Sequence, residues 1–126
     1  MKLKWSKREK RYELVFPKGA TAENADRITF KMQLISWRDR TEIMDNMAVM
    51  EDGKTRFLAG MQEEMKLRFS VKGWENICDE DGGPIPFSDD TMFDLLAMPE
   101  MADARKMLLA DIDKRNGIEL KTEKNS

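Results

Sequence analysis

The sequence predicts an α+β fold that is predominantly helical, with an N-terminal β-hairpin followed by about four helices. Apolar and polar residues alternate near the N-terminus, as in half-buried strands, whereas apolar residues after about position 36 recur at helical spacing. A chain of 126 residues is about one domain long and can bury one core without metal or disulfide support. We expect a single globular domain over residues 1–117, with a basic N-terminal arm (1–11) and a flexible C-terminal tail (118–126).

Two short segments predict the hairpin strands. Residues 12–16 are rich in β-branched and aromatic side chains and end at Pro17. Residues 20–26 should form a loop, and residues 28–34 then alternate as a half-buried strand does. A helix over residues 28–34 remains the alternative, since apolar residues there also fit a helical stripe (Ala25, Ile28, Met32 and Ile35). A two-stranded hairpin is only marginally stable alone, so it should pack on helices.

Two helices are predicted in the middle of the chain. Ser36 followed three residues later by Asp39 is typical of a helix N-cap. A helix over about 37–50 should follow, and Asp52-Gly53 should end it. Apolar residues at helical spacing predict a second helix over about 55–70.

The C-terminal half predicts a loop and two further helices. Residues 78–87 contain too many glycines and prolines for regular structure. Ser88 should cap a short helix through about Leu96. Pro99 is suited to the first turn of a last helix that Gly117 ends, and four residues of this helix should face inward: Met101, Ala104, Leu108 and Ile112.

The charge of the chain is segregated, although the net charge is only −2. Residues 1–12 carry six Lys or Arg against one acidic residue, and residues 73–104 carry nine acidic residues and no Lys or Arg. Opposite charges on one chain can meet head to tail between copies, which gives rings or open spirals. The candidates for such self-association are Lys4, Lys7, Arg8, Lys10 and Arg11 on the basic side and Asp79, Glu80 and Asp81 on the acidic side.

The residues predict no enzyme, with no catalytic, metal or cofactor site. The chain has no histidine and a single cysteine, Cys78, so the commonest general base is missing and a thiolate zinc cluster cannot form within one chain. Asp79 and Asp81 could begin a calcium loop, but Pro84 occupies its required glycine position and Asp90 its final glutamate position. We therefore expect no cofactor.

Membrane and nucleic-acid partners are not expected either. No run of apolar residues approaches the length of a membrane span, and no signal peptide is recognisable. A basic arm with Trp5 and Tyr12 could contact nucleic acid, but the acidic block would repel a polyanion. One cysteine and eleven methionines suit a reducing compartment, so the cytoplasm is the expected location.

Methionines are concentrated in the two middle helices, where five of the eleven lie between residues 44 and 65. They can pack in the core, or they can form a soft groove for partner helices, since methionine adapts to varied apolar side chains. The candidates for partner binding are Met44, Met47, Met61 and Met65.

Residues 70–102 resemble the C-terminal half of the tail assembly chaperones of long-tailed bacteriophages and prophages. The resemblance depends on the order of Gly-Trp-Glu at 73–75, Asp-Glu-Asp-Gly at 79–82, Pro-Ile-Pro-Phe-Ser at 84–88, and a Leu-Leu pair before Pro99. It covers about a quarter of the chain; Cys78 and the Gly82-Gly83 pair depart from it. Its motif residues are Gly73, Trp74, Asp79, Asp81, Gly82, Pro86, Phe87 and Ser88.

The resemblance implies a protein of the host cytoplasm, absent from the mature virion, that binds without catalysis. Such chaperones form multimers, coat the long tape-measure protein, keep it soluble and recruit the major tail protein. The motif can equally be a folding signature, with Trp74 and Ile77 packing on the preceding helix and Phe87 anchoring the loop. An oligomeric structural or adaptor protein of a phage or mobile element is the alternative function.

Overall fold

A computed structural model describes residues 10–117 except 22, 24 and 47. Within that part of the chain the fold is mixed α/β, with five strands and four α-helices. Three strands form one antiparallel sheet and the other two form a separate hairpin. Helical residues outnumber strand residues, which confirms the predicted α+β class in its coarse form. Most of the basic arm and the whole C-terminal tail lie outside the described residues.

The main sheet begins with the predicted N-terminal hairpin. Strands β1 (Arg11–Phe16) and β2 (Ile28–Gln33) pair antiparallel, with Arg11 opposite Gln33 and Phe16 opposite Ile28. The strand prediction for residues 28–34 is therefore confirmed, and the helical alternative is wrong. A third strand, β5 (Val71–Glu75), pairs with the other side of β2, so the strand order is β1-β2-β5.

The middle of the chain departs from the predicted pair of long helices. Helix α1 (Trp37–Asp45) begins at the Ser36 N-cap, whose hydroxyl accepts a hydrogen bond from the Asp39 N–H at 3.1 Å, as predicted. It ends earlier than expected, and a hairpin of β3 (Ala48–Glu51) and β4 (Lys54–Phe57) follows before helix α2 (Ala59–Ser70).

The β3–β4 hairpin turns at Asp52-Gly53, a dipeptide that predicted the end of a helix. Glu51 pairs directly with Lys54, and both turn residues have positive φ, 51° for Asp52 and 76° for Gly53. A two-residue turn with positive φ at both positions matches the twist of the strands that it joins, and Asp-Gly is a favoured sequence for it.

The last two helices begin and end where the sequence predicts. Helix α3 (Asp89–Leu96) begins after Ser88, whose hydroxyl accepts the Thr91 N–H at 3.1 Å. A single 3₁₀ turn (Pro99–Met101) leads into helix α4 (Ala102–Asn116), which ends at Gly117 in the left-handed conformation. None of the described helices is long and apolar enough to cross a membrane.

The main core lies between one face of the sheet and helices α2, α3 and α4. Phe30, Met32 and Val71 contribute the sheet side. All four residues predicted to face inward around α4 are buried. A smaller cluster of Ile43 and Met65 joins α1 to α2.

Candidate interaction surfaces

Four large apolar side chains are exposed on α1, α2 and the hairpin between them: Trp37, Met44, Met50 and Met61. We call them the methionine surface. Trp37 and Met44 are seven residues apart, so they lie on the same side of α1. They are 81% and 53% exposed, whereas the neighbouring Ile43 is fully buried.

The path of the chain brings the methionines of this surface to one end of the α1–α2 pair. At the other end, the Ser70 hydroxyl at the end of α2 donates a hydrogen bond of 2.9 Å to the Gln33 carbonyl, just before α1. Further along, Ile43 packs with Met65. The two helices are therefore antiparallel, which places Met44 near the first turns of α2, where Met61 lies.

The β3–β4 hairpin extends from this same end. On one face, Glu51 and Arg56 form an ion pair of 2.7 Å. On the other face, the sulfur of Met50 lies 3.2 Å from the Thr55 hydroxyl, and the Met50 side chain is 71% exposed. The hairpin packs mainly on itself.

The structure divides the methionines that the sequence singled out for partner binding. Met44 and Met61 are exposed, Met61 by 46%, whereas Met65 is 7% exposed and belongs to the core. Met47 lies outside the described residues. Sequence reasoning missed Trp37, although its spacing of seven residues from Met44 was a usable signal.

Two aromatic residues of the 70–102 motif, Trp74 and Phe87, pack against each other. The Trp74 and Phe87 rings meet edge to face, with centroids 4.9 Å apart. The Trp74 indole N–H also donates to the Ile85 carbonyl at 2.7 Å. These contacts attach the 78–87 loop to β5, which agrees with the interpretation of the motif as a folding signature.

The acidic turn of the motif is held by its own hydrogen bonds. One carboxylate oxygen of Asp79 accepts the N–H groups of Asp81 and Gly83, each at 2.9 Å. Gly82 adopts a φ of 83°, a conformation that suits glycine. Pro86 is exposed within the loop, and Gly73 lies in β5 beside the Lys31 side chain.

The charged residues predicted for self-association have different environments. Lys4, Lys7 and Arg8 lie outside the described residues, and Lys10 and Arg11 are exposed where β1 begins. Asp79, Glu80 and Asp81 are also exposed, but the Asp79 carboxylate is already engaged within its own turn. A role of these residues in self-association stays a prediction.

An open groove of about 690 Å³ lies between α2 and α3. Leu67, Phe93 and Leu96 supply its apolar floor, and four carboxylates also line the groove: Glu63, Glu64, Asp90 and Asp94. We call it the acidic groove. Sequence reasoning placed the acidic block on residues 73–104 but did not foresee that α2 would add two carboxylates to it.

Tyr12 is a titratable side chain whose contacts with helix α4 raise its pKa. Its hydroxyl donates to the Asp111 carboxylate at 3.0 Å, and the Arg115 guanidinium lies 4.0 Å above the ring. Burial, followed by the hydrogen bond and the negative charge of Asp111, raises the pKa of Tyr12 to about 12. The described residues contain no group of three or more acidic or cysteine side chains placed to hold a metal ion.

Comparison of the chain with models of protein families, with curated protein sequences and with solved structures gives no match.

Proposed function

We propose that this protein is a tail assembly chaperone of a long-tailed bacteriophage or prophage. It binds the tape-measure protein, keeps that long helical chain soluble in the host cytoplasm, and recruits the major tail protein around it. The work is stoichiometric binding by a multimer, without catalysis, and the protein is absent from the mature virion. The motif order over residues 70–102 suggests the family, and the methionine surface is the observation that carries the binding role.

The chemistry of the methionine surface suits a helical partner of varied sequence. Methionine is unbranched and its thioether is polarisable, so it adjusts to different apolar side chains at little cost. Amphipathic helices present such side chains along one face. Single exposed apolar residues are ordinary, but four large ones on consecutive elements, with the methionines near one end of the α1–α2 pair, support an interaction surface here.

Co-expression with a fragment of a tape-measure protein from the same phage or prophage genome tests the proposal. The wild-type protein should raise the soluble yield of the fragment and copurify with it. The double variant Met44→Ser/Met61→Ser should lose this capture while its thermal midpoint falls by no more than about 4 °C, because each half-exposed side chain contributes only about 0.5 kcal/mol to stability.

Two control variants test whether loss of capture is specific to the methionine surface. One changes an exposed methionine elsewhere, and the other changes a methionine of the core. Met98→Ser changes an exposed methionine that follows α3, outside the methionine surface, and should leave capture intact. Met65→Leu nearly conserves the side-chain volume in the core and should also leave capture of the fragment intact. Equal capture by wild type and by Met44→Ser/Met61→Ser would contradict the proposal.

A further inference from the structure

The acidic groove presents net negative charge around an apolar floor, with four carboxylates and one cation among its lining residues. Within the described part of the chain, Glu63, Asp90 and Asp94 make no ion pair, and Glu64 pairs with Arg68 at 3.4 Å. Of the described residues that line the groove, Arg105 is the only cation, and its guanidinium donates to the Leu96 carbonyl at 2.8 Å. A ligand that matches this groove carries several cations and an apolar anchor.

The N-terminal residues of the chain have this chemistry. Residues 1–9 contain four cations (Lys2, Lys4, Lys7 and Arg8) against Glu9, with Leu3 and Trp5 between the cations. The cations can pair with the carboxylates while Leu3 and Trp5 cover the apolar floor. A nine-residue segment reaches at most about 30 Å when fully extended, which is enough to extend from one copy into a neighbour.

The described chain begins at the opposite end of the helical layer from the groove. The Lys10 carbonyl accepts the Leu34 N–H at 2.7 Å, and the next residue, Ile35, donates its N–H to the Asn116 side chain at 2.8 Å. Lys10 is therefore close to the C-terminal end of α4. Arg105, which lines the groove, is eleven residues earlier on that helix, or about 16 Å along its axis.

We propose that the acidic groove binds residues 1–9 of a second copy of this chain. A donor segment at one end of the molecule and an acceptor groove at the other give a heterologous contact, which repeats head to tail into rings or open spirals. This inference deepens the self-association part of the proposed function and moves the acceptor from the 79–81 turn to the groove. It does not depend on the tape-measure protein.

Sedimentation velocity on the full chain at low salt provides the first test. The wild-type protein should form multimers that dissociate as salt rises, because exposed ion pairs are weak and are screened within about 8 Å at physiological ionic strength. A wild-type protein that stays monomeric at high concentration and low salt overturns the inference; that is also the result expected if the segment occupies the groove of its own copy.

Charge reversal locates the contact. The groove variant Glu63→Lys/Asp94→Lys and the segment variant Lys4→Glu/Lys7→Glu should each raise the dissociation constant about a hundredfold, roughly tenfold for each reversed charge. Mixing the two variants should restore multimers, since each groove then meets a segment of opposite charge. Failure of the mixture to associate, with both variants folded, contradicts direct contact between groove and segment.

The matched control Glu80→Lys/Asp81→Lys reverses two exposed charges on the acidic turn and changes the net charge by the same amount as the groove variant. It should leave the multimers intact, and an equal loss in this control overturns the assignment to the groove.

The outcomes also distinguish the chaperone proposal from the groove proposal. A multimer that fails to capture the tape-measure fragment counts against the chaperone proposal alone, whereas a monomer that captures it counts against the groove alone.

Discussion

Replacing Asp113 with alanine should destabilise the protein by about 2–3 kcal/mol, because it leaves a buried ammonium group without its partner. The Lys66 ammonium lies 2.6 Å from the Asp113 carboxylate, and this pair joins α2 to α4. Only 3% of the Lys66 side chain is exposed, against 35% of the Asp113 side chain. The Asp113 side chain reaches solvent, but its Oδ1, the oxygen that faces Lys66, is itself buried.

The difference in exposure between the Lys66 and Asp113 side chains sets the size of the predicted loss of stability. Removing one partner of a buried ion pair costs about 3–5 kcal/mol, and the partial exposure of Asp113 places this pair at the lower end of that range. Alanine has a higher helix propensity than aspartate, which offsets up to about 0.7 kcal/mol of this cost. The remaining 2–3 kcal/mol corresponds to a fall in the thermal midpoint of about 10 °C for a domain of this size.

The opposite truncation, Lys66→Met, should cost less, about 1–2 kcal/mol, because it removes the buried ammonium group and leaves unpaired only the buried Oδ1 of a carboxylate whose remainder reaches solvent. Adding Asp113→Ala to Lys66→Met should then cost nothing further, because it removes the unpaired carboxylate. Urea unfolding at pH 7 measures all three variants against wild type. A cost for Lys66→Met as large as that for Asp113→Ala would refute the reasoning, as would an Asp113→Ala cost below about 0.5 kcal/mol.

Three further predictions concern other contacts. Tyr12 is the only tyrosine, so absorbance at 295 nm should follow it alone: ionisation should occur near pH 12 in the folded protein and near 10 in urea. Its contribution to stability is complete below pH 10 and is lost as pH rises towards 12, and a folded-state midpoint near 10 would contradict this. Gly53→Ala should destabilise the β3–β4 hairpin by about 1–2 kcal/mol, speeding amide exchange there with little change in the thermal midpoint; unchanged exchange would contradict the turn geometry. Trp74→Phe should cost about 1–3 kcal/mol through the lost Ile85 hydrogen bond, and the exposed control Trp37→Phe less than about 0.5 kcal/mol; equal costs in urea unfolding would contradict this.

The elements that sequence reasoning predicted correctly are those with local signals. The Ser36 and Ser88 side chains cap the first turn of their own helices, and Pro99 and Gly117 mark the two ends of the last helical segment. Each signal involves residues close to one another in the chain. The alternation in β2 is equally local, although it needed β1 beside it to decide between strand and helix.

Strand β5 and the β3–β4 hairpin were not predicted. The first depends on pairing with a strand distant in sequence, and the second on a dipeptide that occurs both at helix ends and in hairpin turns. Strand β5 has only five residues with Gly73 at its centre, so its strand propensity is weak and pairing with β2 stabilises it. Asp52-Gly53 can end a helix or turn a hairpin, and only the pairing of Glu51 with Lys54 distinguishes these. The sequence also could not show which methionines face the core, since that depends on how α1 and α2 pack.

Helix α2 connects the two proposed surfaces, since Met61 belongs to the methionine surface while Glu63 and Glu64 line the acidic groove. A neighbouring copy whose N-terminal segment fills the groove would therefore lie beside Met61, because residues three apart on a helix, such as Met61 and Glu64, are neighbours. Repeating this contact head to tail would place one methionine surface per copy at a constant spacing along the multimer. A regular row of soft apolar surfaces suits a long helical partner better than a single surface does, because many weak contacts on one chain add through their high effective concentration. The groove variant should therefore weaken capture of long tape-measure fragments much more than capture of fragments that span one binding site. Equal weakening for short and long fragments would contradict this coupling.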